Sequence, residues 1–340
     1  MTPSKPPTPS ARAPKRLLFV AANPSVDRLI EVDALIDGAI HRPASGVVVP
    51  GGKGLNAARA AFALGARATV VAIVGGRAGD WIAERLAELG IEASLVRDTA
   101  GAETRTCLSV LDRSTGLLTE FYEPGEPIGP ATWAAFETAV ARELERGDGG
   151  AVVCSGSLPP GAPDDGYARI VRIVRMAREA GPGRKAASIV TVVDTHGTPL
   201  ELAVAERPSI VKVNGAEAAE ATGLPVTDPA GAVRAARDLI ERGAGKVVVT
   251  LGAEGAVAVD GVSAWRLRSD AERGAFPVGS GDAFIAGLAI AVVAGSPLAA
   301  AAGAGMAAGI ANALVPGAGI LDPAAAARLL DSVELSALAI

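Results

Sequence analysis

The chain has 340 residues and a formal net charge of −5, from 32 basic and 37 acidic side chains, with no run rich in lysine and arginine. This charge balance excludes the positive surface by which proteins hold nucleic acid or an anionic membrane. Two cysteines and two histidines are too few for a disulfide framework, a cysteine-rich zinc site or a multi-histidine metal centre. We therefore expect the chemistry to depend on carboxylates, backbone amides and a few cations.

The two ends of the chain differ from the rest in composition. Residues 1–14 are rich in proline, serine and threonine and are predicted to be a disordered tail before a first strand at 16–22. That apolar run stops at Asn23-Pro24 and is too short for a signal sequence. Near the other end, the small-residue stretch 283–315 is interrupted at 295–297, so it predicts two buried helices rather than a membrane span. The sequence therefore indicates a cytoplasmic protein.

Between these ends, short runs rich in β-branched residues alternate with longer stretches of helical periodicity, as in βα units around a mostly parallel sheet. Strands are predicted at 16–22, 68–74, 150–154, 188–194, 209–213, 246–251 and 256–260. Helices are predicted at 54–65, 78–89, 130–146, 164–180, 198–206, 215–222, 229–242, 281–294 and 298–312. We predict one three-layer α/β/α doubly wound domain over residues 15–340.

Two segments do not follow this alternation. Residues 28–49 and 105–122 alternate apolar and polar side chains at strand period, and the second contains a turn-like stretch at 112–116. Together they predict a small antiparallel sheet that forms a lid over a site. Its exposed edges also offer a surface for pairing with a second subunit, which predicts a homodimer through the lid.

Residues 276–287 form the segment that says most about chemistry. Gly279 and Gly281 permit a tight turn with unobstructed N–H groups, and Asp282 falls in the first turn of the predicted helix. Such amides stabilise the charge of a migrating phosphoryl group, while a carboxylate accepts the proton of an attacking hydroxyl. Taken alone, the pattern is equally consistent with a glycine turn and an aspartate that caps a helix.

Two earlier segments also carry polar side chains that suit a binding site. Asp27 lies just after the first predicted strand, and Lys53 and Asn56 lie in the segment 50–56 that opens the next helix. Loops at the carboxyl ends of strands bind ligands in open α/β sheets, and short amides and carboxylates suit sugar hydroxyls. Taken singly, each residue is as consistent with a turn, a helix start or a solvated surface charge. The glycines of 50–56 do not have the P-loop spacing, and those at 303–305 do not form a dinucleotide fingerprint.

With these motifs in place, the chain resembles a known family, the PfkB (ribokinase-like) carbohydrate kinases, over about residues 16–325. Both family signatures are present in order, Gly-Gly-Lys-Gly-Leu-Asn-Ala-Ala-Arg-Ala at 51–60 and Val-Gly-Ser-Gly-Asp-Ala-Phe at 278–284. Residues 214–217 are similar to the family's N-x-x-E element, and residues 250–255 to its nucleotide loop. The resemblance implies a kinase that uses ATP and Mg²⁺ and phosphorylates a hydroxyl of a small carbohydrate.

The resemblance also implies a role for each matching residue. Asp282 is expected to be the catalytic base. The anion hole is expected to come from the backbone of the glycine turn, Gly279, Ser280 and Gly281. Sugar binding is expected from the residues after the first strand and at the first helix, Asp27, Gly51, Gly52 and Asn56. Nucleotide binding is expected from Asn214, Thr250, Gly252 and Gly255. Mg²⁺ is expected to be organised, through its water ligands, by Asn214 and Glu217.

Three more segments are similar to the 1-phosphofructokinase and tagatose-6-phosphate kinase branch of this family, residues 104–106, 118–125 and 155–161. Arg105 is the key residue among them, because a guanidinium presents a fork of donors to a phosphate already on the substrate. Lys53 and Ser157 are expected to assist it. The expected acceptor is therefore a sugar phosphate, with fructose 1-phosphate ahead of tagatose 6-phosphate and fructose 6-phosphate.

Several alternatives stay open. A lid salt bridge or a solvated strand face would also account for Arg105, and the acceptor would then be an unphosphorylated sugar or a nucleoside. Met306 stands where a polar residue often faces the adenine in this family, which leaves the nucleotide preference open. Glu217 alone is consistent with an exposed helix residue, and Thr250 with a strand-end turn. Outside the enzymes, a sugar-sensing protein on a kinase fold is the alternative, against which the intact segment 279–282 argues.

Overall fold

The computed structural model describes residues 15–43, 45–98, 101–146, 150–179, 189–271 and 274–338. The tail predicted at 1–14 lies outside these residues, as do residue 188 of a predicted strand and residue 180 of a predicted helix. The strands are β1 Arg16–Ala21, β2 Ser25–Val32, β3 Gly46–Gly51, β4 Arg67–Val74, β5 Glu92–Arg97, β6 Thr106–Asp112, β7 Leu117–Tyr122, β8 Gly150–Ser155, β9 Val190–Asp194, β10 Ile210–Asn214, β11 Val247–Thr250, β12 Ala256–Val259, β13 Ala264–Ser269 and β14 Val333–Leu338. The helices are α1 Lys53–Ala63, α2 Gly76–Glu88, α3 Pro130–Arg146, α4 Gly166–Glu179, α5 Gly197–Ala205, α6 Gly215–Thr222, α7 Pro229–Glu241, α8 Ser280–Val293, α9 Leu298–Ala313 and α10 Pro323–Leu330.

The main sheet has ten strands in the order β14-β13-β12-β11-β10-β9-β8-β1-β4-β5. The seven strands β11-β10-β9-β8-β1-β4-β5 are parallel to one another. Strands β12, β13 and β14 extend the sheet from β11 through antiparallel pairs. The chain leaves β1 toward β4 and β5 and later returns to the other side of β1 through β8. This reversal is a topological switch point, where open α/β sheets form a ligand crevice at the carboxyl ends of their strands.

Helices cover both faces of the main sheet, as predicted. One buried layer contains side chains of α1, α2, α8, α9 and α10, and the other contains side chains of α3 to α7. Small residues let α8 and α9 approach closely, since a Cβ on Gly287 would lie 2.6 Å from the carbonyl oxygen of Ala304. A Cβ on Gly305 would lie 2.7 Å from the carbonyl oxygen of Phe284. The small-residue stretch therefore forms two buried helices, and within the described ranges no helix is long and apolar enough to cross a membrane.

A second sheet of four strands, in the order β3-β2-β6-β7, forms the lid. Strands β6 and β7 lie within the predicted segment 105–122, whereas β2 and β3 extend beyond the predicted segment 28–49, so Asp27 lies on a lid strand and not on a loop after β1. The pairs β2–β3 and β6–β7 are antiparallel, whereas the central pair β2–β6 is parallel. The prediction of an antiparallel lid is therefore corrected at this pair. The reason is connectivity, because β2 and β6 are joined by a long crossover through α1 and α2 rather than by a hairpin.

The predicted strands and helices of the main layers are present with their described ends within two residues of the prediction. Strands β5, β13 and β14 and helix α10 were not predicted from the sequence. Strands β5 and β14 lie at the two edges of the main sheet and keep much of their surface exposed. Edge strands of this kind lack the apolar run by which buried strands are recognised.

Candidate active site

A cleft of about 970 Å³ lies at the carboxyl ends of the main-sheet strands, with the lid residues Leu118, Glu120 and Tyr122 along one wall. Gly51 and Glu217 do not line it, although both were predicted to belong to the site. The other predicted site residues all line this cleft, namely Asp27, Gly52, Lys53, Asn56, Arg105, Ser157, Asn214, Thr250, Gly252, Gly255, Gly279, Ser280, Gly281 and Asp282. The fold thus brings both signature segments into one cavity.

Asn56 joins the two carboxylates of the cleft. Its Nδ2 donates to Oδ2 of Asp282 at 3.0 Å and lies 3.4 Å from Oδ2 of Asp27. The Asp27 carboxylate also accepts from the Ser25 hydroxyl at 2.5 Å and from the N–H of Gly52 at 3.2 Å. These bonds hold Asp27 on β2 and Asp282 at the start of α8 on either side of one amide.

The protonation of Asp282 is set mainly by burial, since its side chain is 6% exposed. Burial raises the pKa of Asp282 to about 7, and the negative charge of Asp194 adds to this. The positive charges of Lys53 and Lys212 and the hydrogen bond from Asn56 lower the same pKa in part. A carboxylate whose pKa lies near neutrality is well matched to the task of accepting a proton in a reaction.

The glycine turn before α8 presents backbone amides to the cleft. Gly279 has φ of 81°, and a Cβ there would lie 2.6 Å from the Cα of Ala318, so a side chain is excluded. The N–H of Ser280 donates to the carbonyl of Pro277 at 3.1 Å. Across the described residues, the N–H groups of Gly279 and Gly281 have no backbone acceptor. Two of the three amides in the predicted anion hole are therefore available to a negatively charged group at a helix start.

Gly51 packs against β2, and Gly52 packs against the loop between β1 and β2. A Cβ on Gly51 would lie 1.9 Å from the carboxyl carbon of Asp27, and one on Gly52 would lie 3.0 Å from the carbonyl oxygen of Asn23. Gly52 also has φ of 83°, a conformation that favours glycine. Gly51 therefore lies behind the Asp27 carboxylate and leaves room for it, whereas Gly52 lines the cleft and donates its N–H to that carboxylate.

Two lysines share one buried aspartate beside the cleft. Asp194, at the end of β9, has Oδ1 at 3.2 Å from Nζ of Lys53 and Oδ2 at 3.1 Å from Nζ of Lys212. Lys53 also lies 3.1 Å from Oε1 of Glu217. Burial alone would raise the pKa of Asp194, but the ammonium groups of Lys212 and Lys53 outweigh burial and hold that pKa below its usual range. Burial would likewise lower the pKa of Lys53, yet its carboxylate neighbours raise it, so Lys53 faces the cleft as a cation.

Asn214 and Glu217 form the capping box of α6. The Glu217 N–H donates to Oδ1 of Asn214 at 2.9 Å, and the Asn214 N–H donates to Oε2 of Glu217 at 2.8 Å. In the described ranges no cluster of three or more His, Cys, Asp and Glu side chains is arranged to hold a metal ion. This donor set fits an ion such as Mg²⁺, which keeps most of its waters and is held largely by substrate phosphates.

The part of the cleft next to the glycine turn has the features of a nucleotide site. Thr250 and Gly252 line it after β11, and Met306 and Ile310 line it from α9. The buried hydroxyl of Ser280 has no hydrogen-bond partner among the described atoms. An apolar wall beside unbonded donors suits a flat base at one end and phosphate oxygens at the other.

Arg105 lies on the lid side of the cleft, immediately before β6. Its Nη1 donates to the carbonyl of Glu123 at 3.1 Å and its Nη2 to the carbonyl of Asn23 at 3.3 Å. Its Nε is buried and has no partner in the described part of the chain. The neighbouring Ser157 hydroxyl accepts from Nδ2 of Asn23 at 3.1 Å. Arg105 is thus held by neutral carbonyls, and its guanidinium keeps donors for an anion.

Sequence analysis did not single out four polar residues that contribute to this site, namely Arg59, Asp194, Lys212 and Asn312. Asn312 lies in the apolar helix α9, donates from Nδ2 to the carbonyl of Val278 at 2.8 Å and accepts from the N–H of Gly319 at 2.7 Å. It therefore ties the glycine-turn segment to the loop after α9. The available signal was a lone polar residue within an apolar element, because burying such a group without partners is costly.

The fold and the site together define a phosphotransferase with a hydroxyl acceptor. A crevice at the switch point of a doubly wound sheet holds a glycine turn at a helix start, and the carboxylate of Asp282 lies beside that turn. Lys53 and Lys212 place positive charge in the same cavity. These are the parts that phosphoryl transfer requires, since catalysis of this reaction is mostly positioning and charge stabilisation.

Comparison with known proteins gives the family. Residues 20–325 match the model described as pfkB family carbohydrate kinase. The chain is 34% identical over 271 residues to 1-phosphofructokinase of Rhodobacter capsulatus, covering 80% of this chain and 82% of that protein. It is 30% identical over 273 residues to tagatose-6-phosphate kinase of Staphylococcus epidermidis, covering 79% and 83%. The chain therefore belongs to the pfkB family of carbohydrate kinases.

Solved structures agree with this assignment. The tetrameric inhibited form of phosphofructokinase-2 from Escherichia coli has a TM-score of 0.82 to this chain at 26% identity, covering 93% of this chain and 98% of that one. The same protein in complex with fructose-6-phosphate has a TM-score of 0.79 at 25% identity, covering 94% and 99%.

Proposed function

We propose that this carbohydrate kinase transfers the γ-phosphoryl group of ATP to a hydroxyl of a ketohexose monophosphate, with fructose 1-phosphate as its preferred acceptor. The observation that carries the proposal is Arg105, which lines the cleft and whose Nη1 and Nη2 bond, among the described residues, to neutral backbone carbonyls rather than to a carboxylate. Such a fork of donors suits a phosphate already present on the acceptor. The similarity to 1-phosphofructokinase, at 34% identity, supports fructose 1-phosphate as the first candidate.

The reaction follows from the arrangement around Asp282. Asp282 accepts the proton of the acceptor hydroxyl while the hydroxyl oxygen forms a bond to the γ-phosphorus. The bond from that phosphorus to the bridging oxygen breaks, and ADP leaves with the electron pair. The N–H groups of Gly279 and Gly281 stabilise the charge on the transferred group. Asp27, Gly52 and Asn56 hold the sugar hydroxyls so that one of them lies beside Asp282.

The donor side of the cleft would hold the nucleotide. Thr250, Gly252 and Gly255 line the cleft where ATP would bind. Asn214 and Glu217 would hold Mg²⁺ through its waters, and the bound ion would neutralise charge on the donor phosphates. Lys53 and Lys212 supply two more positive charges in the same region. These cations allow two phosphorylated substrates to approach each other.

A different ketohexose phosphate is the second candidate. Tagatose-6-phosphate kinase is 30% identical to this chain, and a structural neighbour was solved with fructose-6-phosphate. Both compounds also carry a phosphate for Arg105. The two candidates therefore differ in the position of the phosphate on the sugar and not in its presence.

Release of ADP from MgATP should be measured with a panel of hexoses and hexose phosphates. We expect kcat/KM to be highest with fructose 1-phosphate and far lower with every unphosphorylated sugar. Equal kcat/KM values for fructose and its phosphates would contradict the proposal. A preference for tagatose 6-phosphate or fructose 6-phosphate would replace the first candidate with the second.

Replacement of Arg105 tests the acceptor phosphate directly. Arg105→Ala should raise KM for the sugar phosphate by about 10- to 100-fold, because it removes charged hydrogen bonds. A control is Arg178→Ala, since Arg178 is exposed in the last turn of α4 and does not line the cleft. Unchanged KM in Arg105→Ala would indicate an acceptor without a phosphate.

We also propose that two copies of the chain associate through the outer face of the lid. Since Asp27 and Cys107 line the cleft, alternation along the strands places the row Val48, Arg28, Leu108 and Phe121 on the outer face. Phe121 is 56% exposed and Leu117, farther along the same strand, is 67% exposed. Large exposed apolar side chains on one sheet face suit contact with a second copy.

A further inference from the structure

Arg59 is a buried arginine on α1, and the reaction described above does not use it. Its side chain is 7% exposed. Its Nε donates to the carbonyl of Pro50 at 2.9 Å, its Nη2 donates to Oδ1 of Asn56 at 2.8 Å, and Nη2 also contacts the carbonyl of Ala318. Acceptors from β3, from α1 and from the loop after α9 therefore hold the guanidinium in one place.

The bond to Asn56 decides which way its amide faces. An asparagine side chain has two orientations that exchange its oxygen with its NH₂ group. With Oδ1 bonded to Arg59, Nδ2 points toward Asp27 and Asp282, to which it lies at 3.4 Å and 3.0 Å. The opposite orientation would set Oδ1 against two carboxylates and the NH₂ group against a guanidinium. Both contacts would then be repulsive.

We propose that Arg59 is a positioning residue for phosphoryl transfer, which fixes the Asn56 amide so that it donates to the carboxylates of Asp27 and Asp282. The inference rests on the proposed role of Asp282 as the base. Arg59 acts through Asn56 and not on the substrates, since its polar atoms bond to Pro50, Asn56 and Ala318.

The contact with Ala318 extends this role to the anion hole. A Cβ on Gly279 would lie 2.6 Å from the Cα of Ala318, so the glycine turn packs directly on this residue. A Cβ on Gly319 would lie 2.4 Å from the carbonyl oxygen of Asn56, so α1 packs on the same loop. One guanidinium thus supports the hydrogen-bond partner of the base and the loop beneath the amides.

The charges around the two carboxylates are consistent with this role. Burial lowers the pKa of Arg59 to about 10, while Asp27 and Asp282 raise it, so Arg59 stays a cation at neutral pH. Loss of a correctly oriented Asn56 would remove a bond that lowers the pKa of Asp282. The other groups whose charges act on Asp282 are Lys53 from α1, Asp194 from β9 and Lys212 from β10, and Asp27 from β2 shares the Asn56 amide with it. None of them is altered by a substitution at Arg59.

A double-mutant cycle tests the proposal, with kcat/KM measured against pH for Arg59→Met, Asn56→Ala and the double variant. We expect Arg59→Met to lower kcat by about 10²-fold, because the carboxylates lose their fixed partner. The acidic limb of the kcat/KM profile of Arg59→Met should move to higher pH, since a larger fraction of Asp282 is protonated at a given pH than in the wild type. The double variant should be no slower than Asn56→Ala. Losses that multiply in the double variant, or an unmoved acidic limb, would overturn the proposal.

A second buried arginine provides the control. Arg16 is 6% exposed, donates to Oγ1 of Thr69 at 2.7 Å and pairs with Glu143 away from the cleft. Arg16→Met should lower stability yet keep the wild-type acidic limb. If Arg59→Met does not fold, Arg59→Lys is carried through the same cycle, where the same non-additivity is expected and additive losses overturn the proposal.

A readout without substrates separates this inference from the proposed function. The side-chain carboxyl carbon of Asp282 can be titrated by ¹³C NMR, with Asp282→Asn used to assign the signal. Arg59→Met should move its midpoint to higher pH, and by a smaller amount in an Asn56→Ala background, where only the charge of Arg59 is lost. An unchanged midpoint, or equal shifts in the two backgrounds, would overturn the inference. A wild-type protein that phosphorylates no carbohydrate would instead reject the proposed function, whatever the titration shows.

Discussion

The Nδ2 of Asn56 donates to the carboxylate of Asp282 at 3.0 Å, although 226 positions separate the two residues in the chain. The first residue lies on α1 and the second in the first turn of α8. This bond joins the proposed sugar-binding segment to the proposed base, so chemistry at either residue depends on the packing between these helices.

Replacement of the proposed base should abolish most of the activity. Asp282→Asn keeps the shape of the side chain but cannot accept the proton, so kcat should fall by about 10²- to 10⁴-fold with little change in KM. Steady-state kinetics with MgATP and the preferred acceptor measure both values. Asp33→Asn is the control, since Asp33 is 98% exposed. Unchanged turnover in Asp282→Asn would contradict the mechanism.

The same substitution should stabilise the protein in a pH-dependent way. The pKa of Asp282 is raised from 3.8 to about 7 on folding, so the folded state binds more protons between these values and this group lowers stability as pH rises through them. The free energy of unfolding of Asp282→Asn should therefore exceed that of the wild type by up to about 4 kcal/mol at pH 8 and by little at pH 4. Urea unfolding at both pH values measures the difference. An equal difference at the two pH values would show that the buried Asp282 carboxylate is not the source of this pH dependence.

Lys212 should contribute to stability as well as to the site. Lys212→Met leaves Asp194 buried with Lys53 as its remaining ammonium partner, and loss of one member of a buried pair costs about 3 kcal/mol or more. Chemical unfolding compares this variant with Lys246→Met, whose side chain is exposed just before β11. We expect the free energy of unfolding to fall clearly in Lys212→Met and to stay almost unchanged in Lys246→Met. Similar values would mean that the buried ion pair is energetically neutral.

The outer face of the lid should set the oligomeric state. We expect light scattering to give the mass of a dimer for the wild type and the mass of a monomer for Phe121→Asp, because a carboxylate would be buried without a partner at the contact. Val262→Asp is the control, since Val262 is 79% exposed and lies in the turn between β12 and β13. A monomeric wild type would remove the proposed interface.

The sequence predicted the main layers well because their local patterns agree with their final environment. Strand β8 is buried along its whole length and reads as an apolar run, and α7 has a proline at its start with Asp228 as its cap. Strand β14 is a short segment at an exposed edge, in which Glu334 and Ser336 interrupt the apolar residues, so its pairing with β13 is visible only in the fold. The parallel pair β2–β6 was likewise missed, because pairing between distant segments has no local signal.

By itself, the sequence determined the class of fold and the two signature segments, since glycine turns, short polar loops and periodic apolar runs express local backbone and burial preferences. Only the tertiary structure decided how the polar groups are shared. It placed Lys212 against Asp194, turned Glu217 toward Lys53 and set Arg59 between Asn56 and Ala318. The physical reason is that a buried charge is stable only beside its partners, and those partners come from elements that meet only when the sheet and helices pack.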